Sequence, residues 1–314
     1  MRVEPDARGA VHERTQLLHR MRRVLERAEL TPPGLDRLHR PAVVEVVHIA
    51  QRALRSGPLD AAQHRKLTAG LARVTPSAFG PADPKGHLSR SVARALRSVP
   101  VHQGADGQPV TAEVAPWQEH EREALAQAVA LLNRVWPQAA AEVRETVAEI
   151  ALLDGEAIDG FTDFTIHGAI LVNRVRLTAG ATGLPGPVRF AEALVHEGAH
   201  TRCNAAALTD PFLLPDRPQG PDASDRGGQL LIATPLRADP RPLTGLFQQT
   251  VVLARSVLLY RRLAGLGQTV TARHETLLGS AHQAVDTLGT HSGKLTAHGR
   301  RLLDECAGVL GVSA

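Results

Sequence analysis

The chain has 314 residues, 43% of them hydrophobic and 3% aromatic, with 36 Lys/Arg against 32 Asp/Glu. That is apolar material for one large domain or two small ones, and it excludes an intrinsically disordered chain. Its two cysteines, Cys203 and Cys306, are too few for a disulfide framework and read as free thiols.

No apolar run approaches the length of about 18 residues that a membrane span needs. The opening Met-Arg-Val-Glu-Pro-Asp contains no signal-peptide core. The expectation is a cytoplasmic protein without a membrane partner. Charge is uneven: residues 1–110 hold 18 Lys/Arg and 10 Asp/Glu, and the remainder 18 and 22. A basic amino-terminal region suits an acidic peptide, although solvated faces of Arg-rich helices are the plainer reading. No stacking aromatics accompany the arginines, so nucleic acid is not expected as a partner.

In chain order, helical spacing predicts amphipathic helices over 9–29 and 41–56, separated by Pro32-Pro33; the second carries Val43, Val46, Val47, Ala50 and Leu54. Shorter helices are expected over 60–73 and 87–98. Pro100 to Pro116 is rich in Gly, Pro and Gln and reads as a linker, dividing a basic helical region (1–110) from a second domain (117–314). That domain opens with a helical pair: Leu125, Ala128, Val129, Leu132 and Val135 form one stripe, stopped at Trp136-Pro137, and Val143, Val147 and Ile150 form the next. The period then changes. Phe164-Thr-Ile-His and Ala169-Ile-Leu-Val read as strands with a turn near His167-Gly168. Residues 209–242, with seven prolines, are expected to be a long irregular stretch, either an ordered loop of the kind that covers active sites or a disordered segment. Helices over 243–263, 270–289 and 295–309 close a fold expected to be mainly α with a small β element.

The chemistry concentrates in the segment Phe190-Ala-Glu-Ala-Leu-Val-His-Glu-Gly-Ala-His-Thr-Arg-Cys-Asn204. It contains His196-Glu197-x-x-His200 inside an apolar helical run. A four-residue spacing stacks two imidazoles on one helix face, about 6 Å apart, where one divalent metal can bridge them. Glu197 lies beside that face, placed to act on a metal-bound water. Gly198 is the one poor helix former, at about 1 kcal/mol against Ala. Glu192, one turn earlier, is expected to orient His196, or else to be an ordinary surface glutamate.

A zinc peptidase would take a third ligand from a known place. The extended motif with Gly and His further along finds Cys203 and Ala206 at those positions. The downstream helix 243–263 has no carboxylate, and Glu275 is the only glutamate between Glu197 and Glu305. A peptidase with Glu197 as general base therefore stays open as an alternative, without a ready ligand set.

Over residues 120–305 the chain resembles the HExxH-motif peptide-modification proteins encoded beside ribosomally made, post-translationally modified peptides. The resemblance rests on Leu131-Leu-Asn-Arg-Val-Trp-Pro137, on Gly168-Ala-Ile-Leu-Val172 and on Phe190 to Asn204. It continues through Leu236-Arg-Ala-Asp-Pro-Arg-Pro-Leu243 and Leu295-Thr-Ala-His-Gly-Arg300. It implies an Fe(II)/2-oxoglutarate-dependent hydroxylase acting at the β-carbon of a residue in a precursor peptide. His196 and His200 would be metal ligands, and Glu197 would be catalytic. Arg237 and Arg241, with Asn204, would bind the cosubstrate, the arginines through the bidentate fork that suits a carboxylate. Arg202 is also a cation of that segment, but it should point away from the metal. Relatives often carry a histidine three residues after a glycine in the helix matching 243–263; here Gly245-Leu-Phe-Gln248 puts Gln248 there. Gln248 is thus the first candidate for third ligand, followed by His282, His167 and Glu275, each otherwise a solvated side chain. A peptide-binding module without activity is the remaining alternative.

Overall fold

The computed structural model describes residues 1–74, 79–97, 109–215, 231–234 and 237–312, with residues 233–234, 237–239 and 241 described by backbone alone. The fold is mainly helical with a small mixed sheet. Four helices come first: α1 (Ala7–Arg27), α2 (Leu35–Leu38), α3 (Pro41–Ala53) and α4 (Ala61–Ala72). Their apolar faces, from Leu17, Leu18, Met21 and Leu25 to Val43, Val47 and Leu71, pack into a cluster of their own. Strand β1 (Gly80–Ala82) and α5 (Gly86–Leu96) follow, then β2 (Glu113–Ala115), α6 (Glu119–Val135) and α7 (Pro137–Thr146).

The sheet is built around β3 (Glu149–Asp154). β1 runs parallel to its first half, with Gly80 opposite Glu149, and β2 runs antiparallel to its second half, with Ala115 opposite Leu152. On the other side β5 (Ala169–Asn173) is parallel to β3, and β4 (Gly160–Thr162) closes the edge antiparallel to β5. The sheet thus draws one strand from before residue 110 and the rest from after it.

Two expectations need correction here. Val147 and Ile150 do not continue a helix; the helix ends at Thr146, and Ile150 lies in β3. Five successive residues of β3 are buried, so both faces are covered and the alternation that marks a half-exposed strand is missing. Phe164-Thr-Ile-His is not a strand either. Asp163 accepts the Thr165 backbone N–H and winds Phe164–Ile166 into a 3-10 turn. The turn at Gly168 is present, with φ of +95°, a conformation that suits glycine.

Helix α8 (Gly186–Thr209) carries the HExxH segment and runs through the centre of the molecule. Part of the irregular stretch 209–242 forms a two-stranded ribbon, β6 (Leu231–Thr234) with β7 (Arg237–Pro242). Such a ribbon is all edge, which tolerates Pro240 and Pro242. Residues 216–230 and 235–236 of that stretch, and 100–108 of the expected linker, lie outside the described residues. Three helices complete the chain: α9 (Leu243–Arg262), α10 (Gln268–Gly289) and α11 (Ala297–Leu310). They enclose α8 together with α6 and α7 in the largest apolar cluster, which includes Trp136, Phe190, Leu194, Phe247 and Leu259.

A buried ionic network ties these layers together. Arg202 on α8 donates to Glu13 on α1 at 2.5 Å and to Glu142 on α7 at 2.9 Å. Arg255 on α9 reaches the other oxygen of Glu142 at 2.5 Å. Arg202 therefore points away from the histidine face, as its spacing predicts. Both cysteines are free and buried, and burial pushes the Cys203 thiol up to about 12, leaving it protonated and unreactive. Among the described residues no helix is long and apolar enough to cross a membrane.

Candidate functional site

Local packing explains both the course of α8 and its awkward glycine. At Gly186, in its first turn, a Cβ would lie 2.0 Å from the carbonyl oxygen of Leu177. At Gly198, inside the HExxH motif, a Cβ would lie 3.0 Å from Cγ2 of Val143. The glycine is thus the contact through which α7 approaches α8, and the helix propensity lost there is exchanged for close packing.

The imidazoles of His196 and His200 sit on one face, their ring centroids 5.1 Å apart and their planes 60° from parallel. His200 Nδ1 is 2.9 Å from Oε1 of Gln248. An amide oxygen can only accept, so Nδ1 carries the proton and Nε2 of the neutral ring keeps its lone pair. The amide is oriented in turn by its Nε2–H, which donates to Asn204 Oδ1 at 2.9 Å. This chain from Asn204 through Gln248 to His200 fixes the tautomer that a metal ligand requires.

Glu197 is buried, with Oε1 4.0 Å from Nε2 of His196. Its other oxygen accepts the Thr162 hydroxyl at 2.5 Å. A Cβ on Gly160 would come within 2.5 Å of Oε1, so the glycine lets β4 pass close to the carboxylate in the position it holds here. Burial pushes the Glu197 carboxyl above the usual range, against the opposing charge of His200 and the hydrogen bond from Thr162. Glu192 is not a surface residue: it is buried, and its oxygens receive the Tyr260 hydroxyl at 2.6 Å and Arg273 Nη2 at 2.5 Å. Burial, then the charge of Glu192, pushes the Tyr260 phenol up, which keeps it a donor.

These groups open on a cleft of about 650 Å³. His196, Glu197, His200 and Asn204 of α8 line one side, and Gln248 and Gln249 of α9 face them. The cleft continues to Arg273 and to the Arg176–Asp159 ion pair. Five of the site residues expected from sequence therefore come together: His196, Glu197, His200, Asn204 and Gln248. Arg237 and Arg241 lie on β7, and their side chains fall outside the described part.

The three further ligand candidates do not line the cleft. His167 is buried, not solvated, against Phe164 in the turn before β5. His282 sits on α10 with Nε2 3.4 Å from the Leu310 carbonyl, and Glu275 is exposed on the same helix. Thr162, Tyr260 and Arg273 were not expected from sequence. Tyr260 offered a signal, as the only tyrosine of the chain, set among the apolar residues of α9. A buried phenol needs a polar partner.

A divalent metal fits the two imidazoles by their spacing and by the fixed tautomer of His200. Among the described residues no group of three His, Cys, Asp or Glu is placed to hold one. Among the described residues, those next to the imidazoles that could donate further are the neutral amide of Gln248, once turned from His200, and the carboxylate of Glu197. A scan against known protein families and a search of curated proteins find no match to this chain.

Proposed function

We propose that this chain is a cytoplasmic Fe(II)/2-oxoglutarate-dependent hydroxylase acting at the β-carbon of a residue in a ribosomally made precursor peptide. The observation that carries the reading is the pair of imidazoles opening on a cleft of about 650 Å³. That is room for a small cosubstrate and a peptide side chain together, within the usual range for ligand sites. Iron(II), when bound, would let dioxygen act as the oxidant: one oxygen atom goes to the hydroxylated C–H bond and the other to 2-oxoglutarate, which leaves as succinate and CO2.

The chain's own residues hold and orient. His196 and His200 are the metal ligands, and Gln248 either keeps His200 in its ligating tautomer or turns to become the third donor. Asn204 fixes the Gln248 amide. Arg237 and Arg241 are assigned to the distal carboxylate of the keto acid, for the planar fork of the guanidinium. Glu197, tied to Thr162 and nearly removed from solvent, shapes the pocket and needs no water to activate.

One observation favours a zinc peptidase instead. Burial raises the Glu197 carboxyl above its ordinary value, the direction that suits a general base. The two readings separate experimentally. Anaerobic reconstitution with Fe(II) and 2-oxoglutarate is expected to give a visible charge-transfer band, and a Glu197→Gln protein to go on consuming 2-oxoglutarate. A wild-type protein without keto-acid dependence, binding Zn(II) tightly and cleaving peptide only while Glu197 is intact, would establish the peptidase.

A further inference from the structure

A second cavity, of about 170 Å³, lies on the opposite side of α8 and shares no lining residue with the cleft. Arg202 and Ala205 form its α8 wall, while His196, His200 and Asn204 face the other way. Its floor is apolar and buried: Leu17, Leu18 and Met21 from α1, with Val44 from α3. An apolar cavity of about 150 Å³ is large enough to stay dry and take up benzene. This one is of the same size class.

The charged groups of its wall are satisfied within the protein. Arg14 pairs with Glu145 at 2.7 Å, Arg144 donates to Asn133 at 2.9 Å, and Arg202 is held by Glu13 and Glu142. Arg40 is engaged as well. An anion entering here would have to displace those partners, and a cation would meet four guanidiniums against one carboxylate. The wall therefore favours a neutral guest.

His167 is the group left wanting. Its ring lines the cavity, buried and edge-on to Phe164, and its Nδ1 has no hydrogen-bond partner among the described residues. Burial, with the charge of His48 adding to it, holds the ring below its ordinary value and so keeps it neutral. A buried polar atom without a partner is destabilising until something pairs with it. A hydroxyl both donates and accepts, so it fits Nδ1 in either tautomer. A water could make the same bond, but it would leave the apolar floor without hydrocarbon against it; a hydroxyl carried on an apolar ring serves both.

We propose that this cavity binds a small neutral molecule of the phenol class, its ring on the apolar floor and its hydroxyl hydrogen-bonded to Nδ1 of His167. Because the cavity is separate from the cleft, the site stands or falls independently of the hydroxylase reading.

The test is calorimetric titration of the EDTA-treated full chain with phenol, and with toluene as the same shape without the hydroxyl. Benzoate and benzylamine serve as the charged counterparts. Saturable phenol binding is expected, with toluene about fivefold weaker and both ions at least about tenfold weaker. His167→Phe keeps a ring and removes both nitrogens, and should bring phenol down to the affinity of toluene. In NMR of the wild type, phenol and not toluene should shift the ring nitrogen resonances of His167, a readout that does not depend on the variant folding. No saturable phenol binding, equal affinity for toluene, tighter binding of benzoate, undiminished phenol binding to His167→Phe, or unshifted His167 nitrogens would each overturn the assignment.

Discussion

Glu142→Gln should be among the most damaging single-atom changes in this molecule. Glu142 is 2% exposed and takes donors from three residues: Arg202 Nη1 at 2.9 Å, Arg255 Nη1 at 2.5 Å and Nη2 at 3.4 Å, and the Asp6 backbone N–H at 2.7 Å. With Glu13, it balances two guanidiniums that are themselves 1–2% exposed. Glutamine keeps the shape but leaves one buried positive charge without its counterpart. Breaking a buried pair in that way costs about 3–5 kcal/mol, a large part of the about 5–15 kcal/mol that holds a typical domain folded. Urea unfolding followed by the fluorescence of the buried Trp117 and Trp136 reads the loss as a lower midpoint with an unchanged slope. Adding Arg255→Met should return much of the stability, because the pair leaves together. A loss below about 1 kcal/mol, or a double variant as unstable as the sum of its parts, would refute the reasoning.

Burial, with the charge of His48 adding to it, holds His167 down to about 4 from an ordinary 6.5. The unfolded chain therefore binds the proton more readily, and stability is full above the ordinary value and falls as pH drops from there toward 4, by about 3 kcal/mol. His167→Gln should flatten that part of the stability profile; parallel curves would show that the ring is hydrated. Gly198→Ala should lower stability by about 1–3 kcal/mol despite the better helix former, because the methyl meets Val143 at 3.0 Å. Val143→Ala in the same chain should relieve the clash, and a stabilised single variant would contradict the packing. Gln248→Ala should weaken Co(II) binding about 10–100-fold in a chelator competition; unchanged affinity would remove Gln248 from the site.

Much of this was legible in the sequence, for reasons that differ between elements. The helices announce themselves through apolar spacing and capping, as α1 does after Asp6 and α11 after Thr296. His196, Glu197 and His200 were fixed to one region by covalent spacing alone. The sheet was less legible because its central strands are buried on both faces, so Ile150 to Leu153 carry no periodic signature. β1 and β2 are too short to signal at all, and what pairs β1 with β3 is tertiary packing. The polar supports of the cleft are harder again: Thr162 reaches Glu197 across 35 residues and Arg273 reaches Glu192 across 81. No local pattern encodes such a partner.

The ionic network also sets a schedule for biosynthesis. Glu13 meets Arg202 across 189 positions, and the Val3 carbonyl meets Arg255 across 252. At the ribosome's about 5–20 residues per second, roughly 10–50 s separate the emergence of these partners. During that interval the first four helices can consolidate their own apolar cluster, while the side of α1 that will face Arg202 waits in solvent. The helix bearing the imidazoles is locked only when α9 arrives. A nascent chain stalled before residue 255 would therefore present a folded amino-terminal layer with an amphipathic flank still open to chaperones.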